Sequence, residues 1–317
     1  MMTLACPRCH TPLDDVDRTT RRCSKDGLTF QRVDGIWRML LPEREAYFSR
    51  FIREYETVRR SEGRGSADAS YYRSLPYHSS SAWKIRAGSF DTFIETLRVF
   101  ETLRRPQGKP LGSRGILDLG AGNGWLSNQF ALRGHEVAAI DLTTNDFDGL
   151  GCRRFYESTF LPVQAEFDCL PFSDGAADLI LFNASLHYST DYKRTLTEAL
   201  RALKDAGLLV ILDSPVYREA QSGAQMALER EEQFTRQYGF RSNSLPSENF
   251  LTYARLDELA RELNIEWKFI TPFYNLKWAL RPMLAFLLRR REPAKFHVIV
   301  GEKTSRRVNN DSFAEPD

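Results

Sequence analysis

The sequence has 317 residues, of which 42% are hydrophobic and 27% charged, and its formal net charge is +2. This length holds one large domain, or a domain with a small module, and the composition is that of a globular protein. A net charge close to zero excludes a strong overall field for nucleic acid. We find no apolar run long enough to span a membrane and no secretory signal at the start, so stable membrane insertion is not expected.

Three of the five cysteines lie near the start of the chain in a pattern typical of metal binding. Cys6 and Cys9 form a C-x2-C knuckle, and Cys23 begins a second knuckle in which Asp26 replaces the last cysteine. Tetrahedral zinc takes four ligands, so these four residues are the candidate metal ligands. His10 is an alternative fourth ligand, and a degenerate ribbon without metal is the other alternative. An odd, clustered set of cysteines favours the reducing cytoplasm over a disulfide framework.

Two regions are predicted before the central part of the chain. Residues 1–42 form the small zinc-ribbon-like module, and residues 43–110 form a helical region. Apolar residues at helical spacing over 47–58 indicate its first helix, and a second helix is expected over 83–103. Residues 108–115 are interpreted as the entry loop to the domain that follows.

The central stretch, residues 115–142, predicts a β-turn-α-β unit. Its glycines allow a ligand to approach the backbone closely, and the new helix offers free N–H groups at its start. Asp118 lies just before the glycine turn, where it would repel a pyrophosphate but favour a ligand with an amino group and a sulfonium cation. Asp141 ends the second strand and can accept hydrogen bonds from the two hydroxyls of a ribose. A structural turn without a ligand is the alternative.

This D-x-G-x-G-x-G turn, with the later acidic residue, resembles motif I of the class I S-adenosylmethionine-dependent methyltransferases. The resemblance implies an enzyme with that cofactor and an α/β fold. The expected fold is a doubly wound, mostly parallel seven-stranded Rossmann-like sheet with an antiparallel last strand. It spans residues 111–304, with an insertion at about 214–250. The cofactor-binding candidates are Asp118, Gly120, Ala121, Gly122, Gly124, Asp141, Leu142, Glu166, Phe167 and Asn183.

Residues 165–172 resemble a second motif of that family, with Glu166 at its usual aspartate position. The resemblance implies that Glu166 and the next backbone N–H read the adenine, while Phe167 or Leu142 clamps the flat base. Asn183 follows the fourth predicted strand, at the sheet edge where ligands bind. His187 is the candidate catalytic base because imidazole titrates near neutrality. Its alternative role is to shape the pocket.

In this family the elements before the first strand commonly lie over the cofactor and form part of the substrate pocket. Residues 43–110 are therefore interpreted as a lid or substrate region, with ordinary helix packing as the alternative. The substrate-binding candidates are Tyr72, Trp83, Arg86, Tyr188 and Asp213, and the aromatic stretch around them adds Tyr71, Tyr77 and His78.

The end of the chain predicts two last strands over 265–273 and 295–303, and the resemblance implies that they form an antiparallel pair. Between them, residues 274–292 are apolar and end in three arginines. One interpretation is an interfacial or lipid-facing helix with a basic rim. The favoured interpretation is a helix packed on the sheet, with arginines stabilised at its carboxyl end by the helix dipole. Residues 305–317 are predicted to be a disordered tail.

The sequence thus predicts methyl transfer by in-line displacement to a small-molecule acceptor. One alternative is an RNA base methyltransferase that uses the N-terminal ribbon, whose CPRCHTPL knuckle resembles that of ribosomal RNA guanine methyltransferases. Acidic residues dilute the arginines of the ribbon, which favours the small molecule. A second alternative is a non-catalytic cofactor-binding or partner-dependent subunit. The acceptor and the oligomeric state stay open.

Overall fold

The computed structural model describes residues 2–104, 113–241 and 244–304. The predicted tail, 305–317, and most of the predicted entry loop lie outside these ranges. The strands are β1 (Asp14–Asp15), β2 (Thr20–Arg22), β3 (Thr29–Val33), β4 (Ile36–Arg38), β5 (Gly115–Leu119), β6 (Glu136–Asp141), β7 (Leu161–Gln164), β8 (Ala177–Asn183), β9 (Leu203–Leu212), β10 (Val216–Tyr217), β11 (Leu251–Thr252), β12 (Ile265–Ile270) and β13 (Val298–Lys303). The helices are α1 (Pro42–Ser61), α2 (Ala69–Arg73), α3 (Ser81–Arg104), α4 (Trp125–Ala131), α5 (Tyr192–Ala202), α6 (Ala220–Tyr238), α7 (Tyr253–Leu263), α8 (Leu276–Ala279) and α9 (Arg281–Leu287).

A doubly wound sheet forms the centre of the fold. Its strand order is β7-β6-β5-β8-β9-β13-β12. The first five of these strands run parallel to one another, whereas β13 runs antiparallel to both β9 and β12. The predicted seven-stranded, mostly parallel sheet with an antiparallel last strand is confirmed. In such a sheet, β5 and β8 lie where the chain reverses its winding direction, and ligands bind at their carboxyl ends.

The sheet is covered on both faces, as its uninterrupted apolar strands predict. Neighbouring residues of β5 face opposite sides: Leu117 belongs to the core cluster on one face and Ile116 to the cluster on the other. Both side chains are fully buried. This double burial fixes β5 firmly, so the glycine turn at its carboxyl end has a rigid base.

The N-terminal strands continue the sheet instead of forming a separate unit. β1 to β4 make an antiparallel meander, and β4 then pairs in parallel with β7, with Trp37 opposite Val163. Trp37 and Val163 are buried in the same core cluster. The ribbon-like segment is therefore attached to the domain through backbone pairing and shared apolar packing.

Two local predictions differ from the structure. The sequence over 145–157 predicts a helical crossover between β6 and β7, but the structure has a 3₁₀ helix, Leu150–Phe155, there instead of an α-helix. A Cβ on Gly151 would lie 2.8 Å from the carbonyl oxygen of Asn145, so this close packing requires glycine. The apolar stretch before β13 forms the two short helices α8 and α9, which Pro282 helps to separate. Within the described residues, no helix is long and apolar enough to cross a membrane.

Candidate active site

The glycine turn between β5 and α4 forms the floor of the site. Gly120, Gly122 and Gly124 all have positive φ, a conformation that other residues seldom adopt. The N–H groups of Gly120 and Ala121 both donate to the carbonyl oxygen of Ile140, at 2.8 and 3.0 Å, which ties the turn to the end of β6. A Cβ on Gly120 would lie 2.3 Å from the Cβ of Ser185. The turn is therefore a close-fitting cradle that a side chain would fill.

Asp118 lies beneath this turn and is only 1% exposed. Its Oδ2 accepts a hydrogen bond of 2.7 Å from the hydroxyl of Ser127. Its Oδ1 is buried and has no hydrogen-bond partner in the described part of the chain. Burial raises the pKa of Asp118 to about 7. A buried acceptor without a donor is costly, and a cationic or hydrogen-bond-donating ligand group would satisfy it.

Asp141, at the end of β6, is fixed by local hydrogen bonds. Its Oδ2 accepts from the Gly122 N–H at 2.8 Å, and its Oδ1 accepts from the N–H and hydroxyl of Thr143, each at 2.7 Å. Burial raises its pKa despite these bonds. The carboxylate still lines the pocket described below, where its remaining acceptor capacity suits a pair of hydroxyls.

Glu166 is 4% exposed and forms a two-point ion pair with Arg44 of α1. The Nε–Oε1 and Nη2–Oε2 distances are 2.8 and 2.7 Å. The guanidinium also lies over the rings of Tyr47 and Phe48, at 4.4 and 4.9 Å. Phe167 follows Glu166 and packs edge-on against Phe182. The acidic residue predicted to read adenine is thus joined directly to the first helix.

One pocket is lined by five of the ten predicted cofactor residues. It lies between the carboxyl ends of the central strands and α1. Of the predicted cofactor residues, it brings together Gly120, Asp141, Leu142, Glu166 and Phe167. Asp118, Ala121, Gly122, Gly124 and Asn183 lie outside its lining; Asn183 has a buried Oδ1 without a partner among the described residues. The remaining lining residues are Arg44, Phe48, Phe51, Tyr55, Thr143, Asp168, Ala184, Ser185, Tyr188, Ser189, Thr190, Thr195 and Leu245.

These residues fit an adenosine-containing cation. Gly120, Asp141 and Glu166 line one pocket, and the turn at Gly120 follows Asp118, whose Oδ1 has no donor among the described residues. The aromatic side chains of α1 supply the apolar wall that a flat base requires.

Several lining residues were not predicted as site residues. Phe48, Phe51 and Tyr55 come from one face of α1, and Arg44 precedes them by one turn. Their helical spacing is visible in the sequence, but it predicts a helix face without indicating what that face covers. Ser185 was also missed as a cofactor-site residue; its hydroxyl donates to the carbonyl oxygen of Leu119 at 2.6 Å, which holds the β8 loop against β5.

His187 is 8% exposed and lies beside this pocket rather than on its lining. Its Nδ1 is 3.3 Å from the hydroxyl of Ser214. Burial lowers its pKa to about 3, with further contributions from Arg230, Arg59 and Arg86. The imidazole is therefore neutral near pH 7, but these surroundings oppose the imidazolium that a general base must form. They favour the pocket-shaping role over the predicted catalytic one.

Tyr188, a predicted substrate residue, lines the pocket. Its ring packs against Phe51 and Tyr55, with centroids 6.1 Å away in each case. Burial alone would raise its pKa, but Arg230 and Arg59 hold the pKa below its ordinary value. The electrostatic potential at this end of the pocket is thus positive.

Asp213 and Arg86 lie at the same end of the sheet. Asp213 accepts a hydrogen bond of 2.5 Å from Ser89 of α3, and the Ser89 hydroxyl is 2.8 Å from that of Tyr274. The Oδ2 of Asp213 is buried without a partner in the described residues, and burial raises the pKa of Asp213 to about 6. The guanidinium of Arg86 lies over the ring of Trp83, and burial lowers its pKa.

Two predicted substrate residues, Tyr72 and Trp83, belong to the core instead. Tyr72 is fully buried, stacks on Phe155 at 4.4 Å and donates to the carbonyl oxygen of Phe147 at 2.8 Å. Trp83 is 3% exposed and packs edge-on against Trp125. Their rings and polar atoms find partners inside the protein, which favours a packing role over the predicted substrate-binding one.

A second cluster of functional groups lies in the N-terminal segment. The ligand atoms of Cys6, Cys9, Cys23 and Asp26 all lie within 4.8 Å of one another. The Cys6 Sγ is 3.2 Å from an Asp26 oxygen, and the Cys9 and Cys23 sulfurs are 3.5 Å apart. Three sulfurs and one oxygen are a donor set that zinc accepts. The alternative ligand, His10, has its Nε2 3.3 Å from a carboxylate oxygen of Glu198 instead.

Comparison with known proteins agrees with the fold and the central motifs. Residues 117–211 match the family described as a methyltransferase domain. A malonyl-[acyl-carrier protein] O-methyltransferase of Buchnera aphidicola is 27% identical over 124 residues, covering 39% of this chain and 49% of the relative. A demethylmenaquinone methyltransferase of Renibacterium salmoninarum is 32% identical over 98 residues, covering 31% and 40%. A ribosomal RNA small subunit methyltransferase C of Chromohalobacter salexigens is 32% identical over 123 residues, covering 37% and 36%.

The chain therefore matches a methyltransferase domain over residues 117–211, in agreement with the class I S-adenosylmethionine-dependent type that the glycine turn and its acidic residues predict. It spans between about a third and a half of the length of these three relatives. Their names specify different methyl acceptors.

Proposed function

We propose that this protein transfers a methyl group from S-adenosylmethionine to a small-molecule acceptor. The observation that carries the proposal is the pocket at the carboxyl ends of β5, β6 and β8, in which Gly120, Asp141 and Glu166 face a cover formed by α1.

The cofactor, when bound, supplies a methyl group activated by its sulfonium. In this proposal Asp141 accepts hydrogen bonds from the ribose hydroxyls, and Glu166 with its neighbouring backbone reads the adenine. The Oδ1 of Asp118, which has no hydrogen-bond partner among the described residues, attracts the positively charged end of the ligand. The chain's main contribution is orientation, since holding donor and acceptor in line can supply up to roughly 10 kcal/mol.

The cover over the pocket supports a small acceptor. Phe48, Phe51 and Tyr55 of α1 close one side of the pocket, and Leu245 lies on the same lining. An RNA base would require an open, basic approach to the site. In the N-terminal segment, Arg8 pairs with Glu43 and Arg21 with Asp15, which reduces the net positive charge offered there.

We also propose that Cys6, Cys9, Cys23 and Asp26 hold a zinc ion. Their side chains are already gathered, and the backbone N–H of Asp26 lies 3.3 Å from the Cys23 sulfur, an arrangement suited to a thiolate ligand. Because β4 is joined to β7, the ion would stabilise one edge of the catalytic sheet as well as the ribbon.

The acceptor class is tested by incubating the purified protein with methyl-labelled S-adenosylmethionine and cell extract, followed by separation of small molecules, RNA and protein. We expect label in the small-molecule fraction with the wild type and none with Asp141→Ala. Label confined to RNA would replace the proposal by the RNA alternative. Cofactor binding without label in any fraction would favour the non-catalytic subunit.

A further inference from the structure

The segment between β12 and β13 presents an exposed apolar surface. This α8–α9 surface is formed by eight large apolar side chains whose exposed fractions lie between 45% and 82%. It consists of Phe273, Leu276, Leu280, Met283, Leu284, Phe286, Leu287 and Leu288. The favoured sequence interpretation, a helix packed on the sheet, is wrong for these side chains. The helices that carry them are only four and seven residues long, so they do not offer one continuous apolar stripe to the sheet.

The charges of the same segment are of one sign. Residues 276–291 contain five basic residues and no acidic one. Arg291 pairs with Glu229, and Arg281 lies over the ring of Trp278 at 4.0 Å. Lys277, Arg289 and Arg290 are exposed and have no carboxylate within ion-pair distance among the described residues. The apolar surface is thus bordered by free positive charge.

We propose that the α8–α9 surface docks onto an anionic phospholipid membrane. Proteins that stay in water seldom expose this many large apolar side chains within one short segment. Peripheral membrane segments typically insert apolar side chains into the headgroup region. Their lysine and arginine side chains bind the lipid phosphates. Long basic side chains reach the phosphate layer while their stems remain in apolar surroundings.

The charge pattern argues against a second copy of the chain as the occupant. A symmetric contact would bring the same basic residues of both copies together, and like charges facing each other oppose association. An anionic lipid surface matches both the apolar and the basic components of the patch.

The docking surface is connected to the candidate active site. Phe273, Tyr274 and Trp278 line a pocket beneath the two helices. The Tyr274 hydroxyl is 2.8 Å from that of Ser89, which donates to Asp213 at 2.5 Å. Docking through this surface would therefore place the lipid phase next to the substrate end of the site.

Vesicle co-sedimentation of the full chain tests the proposal without requiring an acceptor. We expect binding to vesicles of phosphatidylcholine and phosphatidylglycerol, weaker binding to phosphatidylcholine alone, and weaker binding at high salt. F286S/L287S should lose at least about tenfold in affinity, since both side chains enter the interface. R289Q/R290Q should lose most of the preference for the anionic vesicles.

Leu228→Ser is the matched control, because Leu228 of α6 is 62% exposed and lies outside the surface. It should bind vesicles like the wild type. All variants should have the melting temperature of the wild type, so that differences in vesicle binding do not reflect unfolding. The absence of vesicle binding by the wild type, or equal binding by F286S/L287S, would overturn the proposal. Self-association that F286S/L287S abolishes, without vesicle binding, would assign the surface to a second copy.

Discussion

Arg44 holds Glu166 through two hydrogen bonds of 2.8 and 2.7 Å, one to each carboxylate oxygen. The two residues are 122 positions apart, and their pairing fixes the start of α1 over the pocket. Glu166 is almost fully buried, whereas the Arg44 side chain is 28% exposed. The pair therefore couples the first helix to the residue predicted to read the adenine.

Removing one partner of this pair should destabilise the protein. Arg44→Gln leaves a buried carboxylate without its cation, and we expect a loss of about 1–3 kcal/mol in the free energy of unfolding. Glu166→Gln should cost less, and the double variant should show a coupling of at least about 1 kcal/mol in urea unfolding. Arg50→Gln, which breaks the more exposed Arg50–Glu54 pair of the same helix, should change stability by less than about 0.5 kcal/mol. Additive single effects would show that the two side chains do not interact.

The raised pKa of Asp118 predicts a pH-dependent stability. Its pKa rises from 3.8 to about 7 in the fold, so between these values the native state binds more protons than the unfolded state. Stability should therefore fall as pH rises through this window, by roughly 2–4 kcal/mol.

Asp118→Asn removes this titration, so the variant should match the wild type near pH 4 and exceed it in stability at pH 8. Denaturant unfolding of the ligand-free protein at both pH values measures the difference. A constant gap between the two proteins across the range would show that Asp118 does not titrate there.

His187 should stay neutral across the physiological range. Burial and three arginines lower its pKa from 6.5 to about 3, so its ring should not gain a proton above about pH 4. This depressed pKa lowers stability as pH falls from about 6.5 towards 3, because only the unfolded chain is protonated there. NMR titration of the histidine ring signals, assigned with His187→Gln, tests this. A midpoint near 6.5 for the His187 signal would restore the catalytic-base interpretation.

The cysteine cluster should hold one zinc ion per chain. Elemental analysis of the purified protein should find stoichiometric zinc in the wild type and in Cys169→Ser, whose cysteine lies outside the cluster. Cys9→Ser and Asp26→Ala should each reduce zinc content, since tetrahedral zinc uses all four ligands. Removal of zinc by a chelator should lower the melting temperature, because the ribbon pairs with the sheet. Wild-type protein without zinc would identify the cluster as a degenerate ribbon.

The parts of the fold that sequence predicts best are those with local signals. The sequence predicts the glycine turn at Gly120 and the acidic residue at Asp141, because strand periodicity and turn chemistry act over short distances. The antiparallel direction of the last strand follows from the family resemblance instead, and the structure confirms it. Glu166 was chosen from its motif, but no local pattern indicates that Arg44 would bind it.

The features that the sequence does not indicate depend on tertiary packing. Tyr72 and Trp83 lie in an aromatic stretch whose composition is compatible with either a pocket or a core. Their hydrogen-bond partners inside the protein are visible only in the structure. The pairing of β4 with β7 joins segments about 125 residues apart, which composition does not indicate. The exposure of Phe286 likewise depends on how α8 and α9 are placed relative to the sheet, which the sequence does not indicate.

Calorimetric titration with S-adenosylmethionine tests the central claim most directly. We expect one site per chain in the wild type and no measurable binding by Gly120→Ala, whose Cβ would lie 2.3 Å from that of Ser185. Gly134→Ala is the control, because Gly134 also has a positive φ but no atom of the described part of the chain lies within 4 Å of its added Cβ. It should retain wild-type affinity. The absence of binding by the wild type, or equal binding by Gly120→Ala, would contradict the assignment of this turn as the cofactor site.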